Sequence, residues 1–207
     1  MKLGEIKLQS LMLIFPDEVL EYNEENIEEL IYNLRSSGTY GSYLSATVGA
    51  INRAFSSIEQ KMLSGKDLLS LDITSGTRQG EYISFDLSTH REILAVSEVY
   101  DNGVPMEFNM LTDSILNVKC AKFSGALSLV YYKRLKRINH TTSNNFEIEP
   151  RGIADAIPYF VKSDLLLGEN ADEAVTSRNI YEGMLDEYAA KSGNDGCFHT
   201  VYSLGRL

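Results

Sequence analysis

Between residues 39 and 62 the apolar side chains Leu44, Val48, Ile51, Phe55, Ile58 and Met62 recur at steps of four and three. That spacing keeps all six on one stripe of a helix packed against another helix. Ala46, Ala50 and Ala54 flank the stripe and allow close approach. Upstream, Ile27, Leu30, Ile31 and Leu34 predict a shorter amphipathic helix, with Asn23 or Asn26 as its cap. The apolar patch over residues 8–15 predicts a buried first helix, separated from the second by Pro16-Asp17. It is shorter than the ~18 residues of a membrane span.

From about Leu68 the period falls to two. Ile83, Phe85 and Leu87 alternate with Tyr82, Ser84 and Asp86, and residues 93–100 are rich in β-branched and apolar side chains. Asp101-Asn102-Gly103 then leads into Val104, Met106 and Phe108, a strong hairpin signal. Residues 115–120 and 126–132 supply two more strands, whereas residues 74–80 read as a polar loop. Short strands at this spacing predict a small antiparallel sandwich or barrel. The NHTTSNN stretch at 139–145 reads as a linker.

Helical spacing returns after Pro150. Ile153, Ile157, Val161 and Leu165 share one face, with Pro158 either starting or kinking that helix and Gly168 ending it. Asn170 is placed to cap a last helix in which Ala171, Ala174, Arg178, Tyr181, Leu185 and Tyr188 recur. The expected fold is α+β. Residues 1–66 and 149–190 form a helical bundle, residues 67–148 an inserted β domain, and residues 191–207 an extended C-terminal arm. The arm alternates Phe198, Thr200, Tyr202 and Leu204 with more polar neighbours, a docking pattern suited to its own sheet or to a partner.

Charge narrows the function. The 207-residue chain carries a net charge of −10, which disfavours a groove gripping nucleic acid along its length. Acidic walls past which DNA slides remain compatible. Seven carboxylates and no Lys or Arg occupy residues 17–29. Lys133, Arg134, Lys136 and Arg137 form the one basic cluster, a candidate for subunit contact, solvated surface or DNA contact. Cys120 and Cys197 do not make a disulfide framework. His90, His140 and His199 lie far apart and outside any metal-ligand spacing. Neither a phosphate-binding glycine loop nor a Gly-x-Ser-x-Gly elbow occurs. We therefore expect no catalytic residues, no metal and no cofactor.

The segment EPRGIADAIPYFVKSDLLLGENADEAVTSRNIYEGMLDEY at 149–188 resembles the head-to-tail adaptor (connector) proteins of tailed bacteriophages, including the tail tubular proteins of short-tailed phages. The similarity lies in Ile157-Pro158 and Val161 on one helix and in Arg178 and Tyr181 on the acidic helix after it. The helices-insert-helices layout extends it across most of the chain. The resemblance implies a virion structural protein that forms a ring of about twelve copies below the portal. Such a ring extends the DNA channel and presents a platform for a downstream tail or neck protein, in the virion neck and away from any membrane. It also implies a C-terminal arm that binds the portal protein, a role falling on Phe198, Val201, Tyr202, Leu204 and Leu207. Ring contacts would use Lys133, Arg134, Lys136, Arg137 and Arg178, while the lumen-lining residues stay unassigned. The alternatives are a tail-completion or stopper-type neck protein and a small hydrolase with an acidic site.

Overall fold

A computed structural model describes residues 1–17, 21–23, 25–119 and 125–192. The fold is α+β and divides into two compact units. Of the described residues, a helical unit takes Met1–Leu63 and Lys136–Ser192, and a β unit takes Ser64–Leu135.

The helical unit holds α1 (Leu3–Ile14), α2 (Ile27–Arg35), α3 (Gly38–Gln60), α4 (Arg151–Ala154), α5 (Ile157–Leu166) and α6 (Ala171–Ser192). The stripe on α3 is buried from Leu44 to Ile58, and with it Ala50 and Ala54. Met62 is not part of that helix. It takes a positive φ of 55° just past the end, where its N–H bonds to Glu59 O and the Leu63 N–H to Ile58 O, at 3.0 and 3.1 Å. This paired closure ties off two orphan carbonyls and normally falls to glycine. Pro158 lies in the first turn of α5, where its missing N–H costs nothing. The α5 face buries Ile157, Val161 and Leu166, with Leu165 turned partly outward. α6 buries Ala174, Ser177, Tyr181 and Leu185. Asn170 caps it reciprocally with Glu173: Oδ1 accepts the Glu173 N–H at 3.3 Å and Nδ2 donates to Glu173 Oε1 at 3.0 Å. Asn26 precedes α2 but its side chain does not cap it, because Oδ1 accepts the Asn23 N–H instead.

The polar stretch at 139–145 is not a linker. It folds into two turns, with the Thr142 N–H on Asn139 O at 3.1 Å and the Phe146 N–H on Ser143 O at 3.0 Å, beside the start of α1, whose first N–H groups have no partner within the helix. Gly4 N–H donates to Asn144 O and Leu3 N–H to Phe146 O, both at 2.8 Å. Asn144 is buried and bridges two elements: Oδ1 accepts from Lys7 Nζ at 2.8 Å, and Nδ2 donates to Glu28 Oε2 at 2.7 Å. Gly4 is required there, since a Cβ would sit 2.5 Å from Ile27 Cγ2 and 3.1 Å from Asn144 Cβ.

The β unit is a sandwich of two antiparallel four-stranded sheets. One is ordered β1 (Lys66–Asp72), β8 (Ala126–Lys133), β4 (Ile93–Asp101), β5 (Val104–Pro105); the other β2 (Thr77–Gln79), β3 (Tyr82–Asp86), β7 (Ile115–Lys119), β6 (Phe108–Met110). Their inner faces share one core: Leu71, Val96, Val99, Leu127 and Leu129 from the first, Ile83, Phe85, Leu116 and Val118 from the second. The β4–β5 turn is the expected one, with Asn102 and Gly103 both at positive φ. The 74–80 segment is more ordered than its polarity predicts. It contains a 3₁₀ turn at Ile73–Ser75 and strand β2, which hairpins onto β3 through Gly80 at φ 62°.

Candidate subunit-contact surface

The basic cluster divides between the two units. In the β unit, Lys133 ends β8: its N–H donates to Gly65 O at 2.9 Å, and its carbonyl accepts from the Ser64 hydroxyl. Arg134 follows, its N–H on Glu92 O at 2.7 Å and its side chain exposed. Backbone pairing thus holds both in place, with Arg134 exposed and Lys133 half-buried. Among the described residues neither head has a carboxylate partner.

In the helical unit, Lys136 extends over the Phe146 ring with Nζ 5.6 Å from the centroid, an exposed cation steadied by an aromatic face. Arg137 is anchored inward. Its guanidinium donates to Glu59 Oε2 at 2.6 Å and to Asn52 O at 3.3 Å. The Glu59 side chain is only 7% exposed, so this pair shields a carboxylate that would otherwise be stranded. Asn52 closes the same corner by bonding both the N–H and the carbonyl of Ile138.

Arg178 is likewise engaged within the chain. It lies over the Phe160 ring at 4.4 Å and the Tyr181 ring at 5.4 Å, and pairs with Glu182 at 3.2 Å. The Phe160 and Tyr181 rings meet edge to face at 5.0 Å. Burial pushes the Tyr181 hydroxyl up in pKa, and the group points toward Ser57 without reaching hydrogen-bond geometry. In the Ile157, Pro158, Val161, Arg178 and Tyr181 pattern, Arg178 and Tyr181 therefore pack α6 on Phe160 of α5, and Ile157, Pro158 and Val161 are buried core positions of α5. Lys61 adds a second tie to α6 through Glu182 at 2.7 Å and Asp186 at 3.4 Å, and the hydrogen bond to Glu182 raises its pKa. Arg53 forks onto Asp164 of α5, which raises the Arg53 pKa in turn.

No protein-family model matches this chain. No curated protein matches it either.

Of the five cations expected at a subunit contact, Arg137 and Arg178 hold their own fold, while Lys133, Arg134 and Lys136 leave charge available to a partner. Exposed negative charge is present on α2, at Glu25 just before it and Glu29 within it. Exposed apolar side chains accompany these groups: Tyr32 at 72%, Leu167 at 67% and Val175 at 56% in the helical unit, Leu68 at 69% and Val104 at 60% in the β unit. Exposed charged and apolar groups are both present in protein–protein contacts. The sequence pattern gave no sign of the exposed apolar positions, since Val175 and Leu167 are distinguished only by facing away from the core. His90 pairs with Glu92 at 3.0 Å on the surface of the β unit. Among the described residues no cluster of His, Cys, Asp and Glu has metal-binding geometry, and no helix is long and apolar enough to cross a membrane. The arm residues Phe198, Val201, Tyr202, Leu204 and Leu207 lie outside the described residues.

Proposed function

We propose that this protein is a non-enzymatic virion component, a head-to-tail adaptor that forms a ring below the portal and carries the next tail protein. The observation that carries the reading is the layout. Among the described residues, segments 1–63 and 136–192 build one helical unit, and the sandwich lies between them in the sequence. A subunit of this design separates a stiff ring-forming body from a module free to meet another component. The unpartnered Lys133, Arg134 and Lys136 against acidic α2 supply unlike surfaces for head-to-tail contact, the kind that closes a ring. The net charge of −10 would keep DNA mobile in the channel.

The test is native mass of the protein alone and after mixing with the cognate portal ring. A monomer that adds about twelve copies to the portal supports the adaptor. Indifference to the portal refutes it. Reversing Lys133, Arg134 and Lys136 to Glu should block multiple occupancy, and reversing Glu25 and Glu29 to Lys in the same chain should restore it. Failure of that rescue would remove these charges from the contact while leaving the adaptor role standing.

A further inference from the structure

One cavity in the helical unit runs against the charge of the whole chain. It has a volume of about 280 Å³ and is lined by Lys7, Ile31, Arg35, Gly41, Leu44, Ser45, Val48 and His140. Carboxylates outnumber Lys and Arg by 29 to 19 in this sequence, yet the lining holds three basic side chains and no acidic one. They come from separate parts of the fold: Lys7 from α1, Arg35 from the last turn of α2, and His140 from the segment after the β unit. Ile31, Leu44 and Val48 are buried and form an apolar floor, while Arg35, Ser45 and His140 are exposed at the rim.

Lys7 is the unusual member. Its residue is 2% exposed, and an ammonium has three N–H donors to satisfy. Among the described residues Nζ meets one acceptor, Asn144 Oδ1. Glu28, whose charge favours the protonated Lys7, accepts from the Asn144 amide and makes no ion pair with Lys7 among the described residues. A buried ammonium with one acceptor is costly unless something else meets its remaining donors. Arg35 acts in the opposite direction, since its charge adds to the cost of keeping Lys7 protonated. Among the described residues neither Arg35 nor His140 has a carboxylate partner. An anion between these groups would remove both penalties together.

We infer that this cavity binds a small organic anion, a phosphate monoester with a short apolar body, held by Lys7, Arg35 and His140 with the Ser45 hydroxyl at the rim. A planar guanidinium and two N–H donors converging from three directions suit an acid group with several oxygens. The volume lies just under the range of ordinary ligand pockets, which limits the body to a few carbons over Ile31, Leu44 and Val48. The inference stands independently of the adaptor reading.

The probes are inorganic phosphate and n-butyl phosphate, titrated into the full-length protein at constant ionic strength and followed by calorimetry and by the Gly41 amide in NMR. Saturable binding of both is expected, with butyl phosphate tighter by about tenfold because its chain covers the apolar floor. Arg35→Gln and His140→Gln, at exposed positions, should each weaken binding by about tenfold, whereas Arg91→Gln in the β unit should leave it unchanged. Absence of saturable binding would overturn the proposal, as would equal losses in all three variants. Equal affinity for the two probes would overturn the apolar body.

Discussion

Lys7 offers the sharpest quantitative test of the structure. Burial holds its pKa at about 8 against an ordinary 10.5, with the nearby Arg35 charge acting in the same direction and Glu28 opposing. A depression of that size corresponds to about 3 kcal/mol against the charged form at neutral pH. The sign follows from the protons. Below about 8 the folded and unfolded chains both hold the proton, and the full penalty applies. Between 8 and 10.5 the unfolded chain still holds it while the folded chain has lost it, so stability rises with pH. The Lys7 contribution should grow by about 2.5 kcal/mol from pH ~7 to pH ~10. Lys7→Met removes the titration and keeps most of the volume. At neutral pH it removes the penalty but costs about 1–3 kcal/mol by leaving Asn144 Oδ1 without its donor, for a net change between about 0 and +2 kcal/mol. The assay is urea denaturation followed by helical circular dichroism across this pH range in phosphate-free buffer. The quantity of interest is the wild-type minus variant difference, in which titrations shared by both proteins, such as those of Lys61 and Tyr43, cancel. A difference flat to within about 0.5 kcal/mol would refute the buried-ammonium account.

Four further outcomes follow from named contacts. Gly4→Ala should destabilise the helical unit by about 1–3 kcal/mol in denaturant titration despite alanine's helix propensity, because its Cβ would meet Ile27 at 2.5 Å. Met62→Gly should raise stability by up to about 1 kcal/mol by relieving the positive φ at the end of α3; a loss would mean that the Met62 side chain contributes more than the strain costs. Phe85→Ala should cost about 3–5 kcal/mol, and hydrogen exchange should show the loss at Leu116 and Leu127, which share its core, more than in α3. Truncation of residues 193–207 should leave the circular dichroism and melting of the remainder unchanged while abolishing attachment to the portal. Attachment by the truncated protein would exclude the arm.

Legibility in the sequence tracked periodicity. The α3 stripe, the alternation in β3, β7 and β8, and the Asn102-Gly103 hairpin each rest on local rules, and each is present in the structure. Signals failed where a polar segment is held by distant partners. β2 is Thr-Arg-Gln, exposed along its length, and is a strand only because β3 pairs with it. β1 gives only a weak signal because Leu68 is exposed beside the inward Leu69 and Leu71, which breaks the alternation. The 139–145 stretch carries turn and linker composition, yet its Asn144 is buried by bonds to residues more than a hundred positions away.

The candidate sites divide in the same way. Pattern located the basic cluster but could not separate Arg137, which shields Glu59, from Lys136, which faces solvent. Nor could it mark Lys7, which occupies an ordinary position on an apolar helix and becomes unusual only through Asn144 and Arg35. The sequence by itself determined the type and order of the strongly periodic elements and the α+β class, because hydrophobic period, caps and tight turns act over a few residues. The tertiary structure alone decided which polar groups are buried, which charges are already paired, and where a cavity gathers Lys7, Arg35 and His140, because those depend on contacts between segments far apart in the chain.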